Sequence, residues 1–131
     1  MRVEDLKIYQ KAHALAVQIH QMTLTLPSFE MFEQGSQIRR SSKSVSAQIV
    51  EGFALRNYKN EYLHYLARAY ASCRETKEHL ILLRETGSLK LEPLYQKLSN
   101  EIEELSKILF AFMDSVFKQH KLPKNKPANF S

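Results

Sequence analysis

The chain has 131 residues, of which 44% are hydrophobic and 25% charged, and this balance excludes a fully disordered protein and suits one domain with one core. Three glycines and four prolines are too few for the many turns of a β-protein, so the composition favours long helices. The formal net charge of +5 permits binding to nucleic acid or another polyanion without requiring it.

The first predicted helix runs from about Val3 to Leu26 and stops before Pro27. Two sets of apolar residues recur along it at steps of seven, a spacing that places them on one face of a helix. The face consists of Ile8, Ala12, Leu15, Ile19, Met22 and Leu26.

The second predicted helix begins at about Ser36, which would cap it after Gly35, and ends at about Leu55. Its inner seam consists of Ile38, Val45, Ile49 and Gly52. Beside this seam runs a polar column, made of Gln37, Ser41, Ser44, Gln48 and Glu51. The helix is thus rich in poor helix formers, because glycine costs about 1 kcal/mol relative to alanine and serine hydroxyls compete for backbone hydrogen bonds.

Two interpretations of the polar column stay open. In the first, the serines and Gly52 let a neighbouring helix approach closely, and Glu51 pairs with an arginine, since buried acids are usually paired. In the second, the column meets another subunit or an RNA backbone. The two are compatible if the column lies at a subunit interface.

The third predicted helix runs from about Tyr58 to Thr86, with Asn57 as its N-cap residue and Gly87 as its stop. Its inner face holds both aliphatic and aromatic side chains. The face consists of Tyr62, Leu66, Ala69, Tyr70, Cys73 and Leu80.

The fourth predicted helix begins near Glu92 and Pro93, since proline is tolerated in a first turn. Two apolar columns at heptad spacing run along it: Leu91, Leu98, Leu105 and Phe112, and Tyr95, Ile102, Leu109 and Val116. Such columns indicate long, nearly antiparallel helix packing. Residues 1–118 are therefore predicted to form an all-α, antiparallel up-down-up-down four-helix bundle, and residues 119–131 a flexible basic tail.

The cysteine and hydropathy patterns predict a soluble, cytoplasmic protein. Cys73 is the one cysteine and cannot form an internal disulfide, which favours a reducing compartment. The first ten residues, MRVEDLKIYQ, lack the apolar run of a secretory signal. No stretch reaches the roughly 18 apolar residues that span a bilayer, so we expect no membrane contact.

No motif in the chain is typical of an enzyme or a metal site. A di-iron bundle needs two Glu-x-x-His pairs and two more glutamates, whereas this chain has one pair, Glu61 and His64, on the far side of helix three. The glycines form no phosphate-binding loop, and no serine lies in a G-x-S-x-G motif. Cys73 fits a core position better than a nucleophile. We expect no catalytic residue, metal, cofactor or small-molecule substrate.

Residues 36–80, SQIRRSSKSVSAQIVEGFALRNYKNEYLHYLARAYASCRETKEHL, resemble the signature of the four-helix bundle family found with intervening sequences in bacterial 23S rRNA genes, the S23 family. The most specific part is R-x₃₋₄-S-x₆-E-G, carried by Arg39 or Arg40, Ser44, Glu51 and Gly52, with support from Ala69, Ser72 and Glu75 on helix three. The family usually has Asn-Ile-Ala-Glu-Gly where this chain has Gln48, Ile49, Val50, Glu51 and Gly52.

The resemblance implies a non-enzymatic bundle, commonly assembled as a ring of five subunits. The family is structurally related to the accessory variability protein of diversity-generating retroelements, whose members bind a reverse transcriptase and nucleic acid through basic surfaces. Two functions therefore stay open. One is binding of RNA or DNA by an oligomer; the other is a protein scaffold that docks a reverse transcriptase.

Basic residues on helix two, at the following turn and in the tail are the candidate phosphate contacts. Arginine and lysine contact phosphates without reading sequence, and a ring would repeat them around its axis. The alternative is that these charges only keep the protein soluble, since +5 is modest. The candidates are Arg39, Arg40, Lys43, Arg56, Lys59, Lys121, Lys124 and Lys126.

Overall fold

The computed structural model describes residues 1–119, which fold into four α-helices preceded and separated by short turns. The helices are α1 (Lys7–Thr23), α2 (Gln34–Ala54), α3 (Lys59–Glu85) and α4 (Glu92–Phe117). Two 3₁₀ turns, Val3–Asp5 and Ser28–Met31, precede α1 and α2. The predicted tail lysines Lys121, Lys124 and Lys126 lie outside the described residues.

Each helix packs against its neighbour in the chain, and α1 also packs against α4. The short links leave successive helices antiparallel, so the four helices close into a ring of neighbours. Residues 1–119 contain no β-strand. The predicted all-α, up-down-up-down bundle is confirmed.

The core lies along the axis of this ring and is built from the apolar columns of all four helices. The column Tyr95, Ile102, Leu109 and Val116 is buried throughout, as heptad spacing predicts. Leu91 is 62% exposed, so its assignment to the other column is wrong: α4 begins one residue later, which leaves Leu91 outside the helix. Tyr70, Phe112 and Leu26 are only partly buried at the edge of the core.

The first helix is shorter at both ends than the sequence pattern predicts. Leu6 has an extended backbone (φ −78°, ψ 130°) and separates the 3₁₀ turn from α1. At the other end the Thr23 hydroxyl donates to the carbonyl of His20, and the Thr25 hydroxyl to that of Met22, both at 2.7 Å. These hydroxyls bond to the backbone of the last turn, where the helix unwinds ahead of Pro27.

The second helix begins two residues earlier than predicted, at Gln34, and Ser36 lies inside it. The reason is a cap supplied from outside the helix, since the backbone N–H of Gly35 donates to Oε1 of Glu30 at 2.9 Å. The third helix begins at Lys59 with Tyr58 as its N-cap residue, in place of Asn57. The predicted end of this helix at Gly87 is confirmed. Gly87 has φ +86°, a backbone conformation that favours glycine.

Candidate nucleic-acid interface

The centre of the polar column of α2 lies against α3. The hydroxyl groups of Ser41 and Thr76 are 2.9 Å apart, and those of Ser44 and Ser72 are also 2.9 Å apart. Ser41 and Thr76 are buried. These hydroxyl groups therefore supply one another's hydrogen-bond partners where α2 and α3 pack closely. The centre of the column consequently contributes little surface for RNA or a second subunit.

Gly52 extends this close approach to the end of α2. A Cβ atom on Gly52 would lie 3.0 Å from the Cβ of Tyr65 and 3.3 Å from Cδ1 of Tyr62. Gln48, between Ser44 and Gly52, has an Oε1 atom that is buried without a hydrogen-bond partner within residues 1–119. The interpretation of the small residues as a helix-packing surface is thus supported.

The two acids of the family pattern face outwards. Glu51 is exposed, and it has no salt bridge to an arginine within residues 1–119. The predicted ion pair was wrong, because the outer edge of the column turns away from α3 and Glu51 keeps its hydration there. Glu75 is also exposed and contacts Nε2 of His79 at 3.0 Å, while Nδ1 of His79 contacts Gln34.

The predicted basic residues of α2 divide into exposed and anchored side chains. Arg40 and Lys43 are exposed. Arg39 is half-buried, and its Nη2 donates to the carbonyl of Met31 at 2.7 Å. Its Nη1 is buried without a partner within residues 1–119. Arg39 thus holds the 3₁₀ turn against α2, which leaves Arg40 and Lys43 as the exposed candidates among the predicted basic residues of this helix.

Arg40 and Lys43 belong to a side of the bundle that carries no acid. The whole of α1 lacks Asp and Glu, and so do residues 34–50 of α2. Because α1 and α2 pack together, the two acid-free segments share one side, each about 25 Å long at 1.5 Å per residue. We call this surface the acid-free side. Lys11 of α1 pairs with Glu104 of α4, whereas Arg40 and Lys43 of α2 form no salt bridge within residues 1–119.

A groove of about 420 Å³ runs between the two helices on the acid-free side. Its polar lining includes His13 and His20 from α1, with Lys43 and Ser46 from α2. The His13 ring stacks on Tyr9, with centroids 5.6 Å apart. Sequence reasoning missed both histidines as interface residues, although the acid-free run around them was a readable signal.

The opposite side of the bundle, formed by α3 and α4, contains basic residues that are paired with carboxylates. Glu103 of α4 contacts Arg74 at 3.0 Å and Lys77 at 2.5 Å. Hydrogen bonds from Lys77 and Arg74 hold the pKa of Glu103 below its ordinary value. These pairs offset the positive charges of Arg74 and Lys77, whereas Arg40 and Lys43 have no carboxylate partner of this kind within residues 1–119.

A second basic group lies at the end of the bundle where α2 turns into α3. Nη1 of Arg56 donates to the carbonyl of Phe53 at 3.0 Å, and Nζ of Lys59 donates to the carbonyl of Gln119 at 3.2 Å. The end of α4 therefore lies beside the link between α2 and α3. Lys43 and Arg56 are about 20 Å apart along α2, so the predicted contacts within residues 1–119 form two groups.

The remaining reactive side chains show no convergent chemistry. Cys73 is buried, with its Sγ atom 3.3 Å from the Oγ of Ser106, and burial raises the pKa of its thiol. No three His, Cys, Asp or Glu side chains of residues 1–119 are grouped so that they could hold a metal ion. In the same part of the chain, no helix is long and apolar enough to cross a bilayer.

The chain resembles one described protein family over most of its length. Residues 4–111 match the family model described as 23S rRNA-intervening sequence protein. Five solved chains match, among them the crystal structure of a protein with unknown function from the S23 ribosomal protein family of Bacteroides thetaiotaomicron VPI-5482. That likeness has 25% sequence identity and a TM-score of 0.73, and it covers 82% of this chain and 95% of that chain. No curated protein matches.

Proposed function

Since the chain belongs to the 23S rRNA-intervening sequence protein family, we propose that it is a non-enzymatic, oligomeric bundle that binds the sugar–phosphate backbone of RNA or DNA. The observation that carries the proposal is the pairing of two acid-free segments on one side of the bundle. Exposed Arg40 and Lys43 supply its fixed positive charges. A surface of this kind attracts phosphates along a strand and releases their counterions.

The contacts on this side suit binding without sequence recognition. Arginine and lysine that reach phosphate oxygens position a protein on nucleic acid but do not distinguish bases. The groove beside Lys43 adds the rings of His13 and His20, which can donate hydrogen bonds to phosphate oxygens. The acid-free side therefore acts as a general backbone contact, whatever strand it meets.

We propose further that the bundle forms a homo-oligomer, with the ring of five that the family resemblance implies. An exposed aromatic surface supports assembly, because Phe110 is 62% exposed and lies beside Tyr70 on the α3–α4 side. A ring joins two different surfaces of each subunit. One of these surfaces would lie on the α3–α4 side, which is opposite the acid-free side and so leaves the acid-free side open to nucleic acid. Repetition of the acid-free side would raise the overall affinity for a long strand. Light scattering measures the subunit number directly.

A salt titration of RNA binding tests the proposed function. For the wild-type protein we expect the logarithm of the affinity to fall linearly with the logarithm of the salt concentration. The Arg40→Glu, Lys43→Glu double variant should lose at least about tenfold in affinity, or roughly 1.4 kcal/mol. A flat salt dependence for the wild type would contradict backbone binding.

A matched control variant distinguishes a loss of affinity caused by the site from one caused by the lower total charge. Arg68 and Lys90 are also exposed, and they lie on α3 and in the link after it. The Arg68→Glu, Lys90→Glu double variant has the same net charge as the first and should bind nearly as well as the wild type. Equal losses in the two double variants would remove the acid-free side as the site.

A protein scaffold that docks a reverse transcriptase is the second candidate function. It is favoured by an apolar surface at the end of the bundle away from Arg56, where Phe32 is 88% exposed, beside Phe29, Met31 and Leu24. Exposed apolar clusters of this kind are typical of protein contacts. Co-purification with a reverse transcriptase encoded beside the gene, abolished by Phe32→Ser and retained by the Arg40→Glu, Lys43→Glu variant, would support this function.

A further inference from the structure

The end of the bundle near Arg56 carries an exposed aromatic ring next to a positive charge. Phe117 is the last residue of α4 and is 66% exposed. Nζ of Lys59 lies 5.4 Å from the centroid of its ring and also donates to the carbonyl of Gln119. The ring thus keeps an open surface, with a cation over one of its faces.

A second flat group lies in the link between α2 and α3, three residues before Lys59. The guanidinium of Arg56 lies over the ring of Phe53, with its Cζ 4.0 Å from the ring centroid. Phe53 is only 8% exposed, whereas Arg56 is exposed. The buried ring and the bond to the Phe53 carbonyl therefore hold the guanidinium plane in one orientation, with its outer surface available to a ligand.

Within residues 1–119, the contacts that orient both cations are with neutral groups, so their charges stay available to a ligand. Each donates to a backbone carbonyl oxygen and lies against an aromatic ring. Aromatic rings and guanidinium planes are the groups on which unpaired bases stack, and nearby cations bind the phosphates between them. Bases within a duplex are already stacked on their neighbours, so such a surface favours single strands.

We propose that this end of the bundle binds unpaired nucleotides, with one base on the Phe117 ring and another on the Arg56 guanidinium. Lys59 and Arg56 contact the intervening phosphate. The inference rests on the proposed function, since it adds a preference for single strands to general binding of the backbone. It also assigns a role to Phe117, a residue that contributes little to the core because its ring is largely exposed.

Fluorescence anisotropy with labelled RNA tests this preference in the full-length protein. The two probes are a 20-nucleotide single strand and a duplex of the same sequence, each at one fixed salt concentration. We expect the single strand to bind several-fold more tightly. Phe117→Ala should lower single-strand affinity about tenfold, within the range for loss of one stacked base, and leave duplex affinity unchanged.

Phe29→Ala is the matched control, because Phe29 lies at the end of the bundle away from Arg56 and is exposed to a similar extent, 58%. It should bind both probes as the wild type does. Equal affinity for the two probes, or equal effects of the two substitutions, would overturn the single-strand site and leave backbone binding standing. Failure of both probes to bind at low salt would instead contradict the proposed function itself.

Discussion

Gly35 donates its backbone N–H to the Oε1 atom of Glu30 at 2.9 Å. A Cβ atom on residue 35 would lie only 2.4 Å from the carbonyl oxygen of Glu30. Glu30 is 3% exposed, and its other carboxyl oxygen accepts a hydrogen bond from the hydroxyl of Ser88. One buried side chain thus caps α2 and holds the link after α3. The absence of a side chain at residue 35 lets the two backbones meet.

Gly35→Ala should destabilise the protein, although alanine is the better helix former. The added methyl group would overlap a backbone oxygen that cannot rotate away, so we expect a loss of about 2–3 kcal/mol in the free energy of unfolding. Urea unfolding measures it. Ser36→Ala, one residue later, should cost little. A Gly35→Ala protein as stable as the wild type would show that the 3₁₀ turn moves freely.

Gly52→Ala should also lower stability, through the approach of α2 to α3. The new Cβ would lie 3.0 Å from the Cβ of Tyr65, an atom close to the backbone that cannot swing aside. We expect a net loss of about 1–2 kcal/mol by urea unfolding, against the roughly 1 kcal/mol that helix propensity alone would add. Ala47→Gly, at an exposed position of α2, calibrates the propensity effect. A stabilised Gly52→Ala protein would refute the close packing.

The hydroxyl pair between Ser44 and Ser72 should show energetic coupling. Each alanine substitution leaves one half-buried hydroxyl without its partner, at a cost of about 1 kcal/mol. The double variant should cost less than the two single variants together, because no unpaired hydroxyl remains. Ser46 bonds to a carbonyl of its own helix, so Ser46→Ala and Ser72→Ala should add. If the losses in unfolding free energy are also additive for Ser44→Ala and Ser72→Ala, the hydrogen bond between these two residues contributes nothing to stability.

Alkaline pH should destabilise the protein through Tyr62. Burial raises the pKa of its phenol to about 12, partly opposed by the charge of Arg56. The folded state then holds this proton where the unfolded chain loses it, so stability falls as the pH rises from about 10 towards 12. Tyr62→Phe should reduce that fall, by the order of 1–2 kcal/mol. Parallel curves of unfolding free energy against pH for the two proteins would contradict this.

Sequence periodicity was sufficient for the four helices and for most of their inner faces. Heptad columns and the scarcity of glycine and proline predicted four long helices, because side chains on one helix face recur at a spacing set by the backbone. Local chemistry likewise located two boundaries. Gly87 ends α3 with a positive φ, and Pro93 lies in the first turn of α4, since both residues act through their own backbone.

Contacts between segments distant in sequence needed the tertiary structure. The true start of α2 depends on Glu30, whose carboxyl group is held in turn by Ser88, and the anchoring of Arg39 depends on Met31. The exposure of Glu51 had the same origin, because periodicity places a residue beside a seam without saying how far the next helix extends over it.

The sequence by itself determined the helices, their buried faces and the basic residues that could contact phosphates. The tertiary structure alone decided which of those residues lie together, because charges from separate helices combine only when the helices pack side by side. Packing of α1 against α2 joins His13 and His20 to Lys43. Packing of the end of α4 beside the α2–α3 turn brings Phe117 to Lys59.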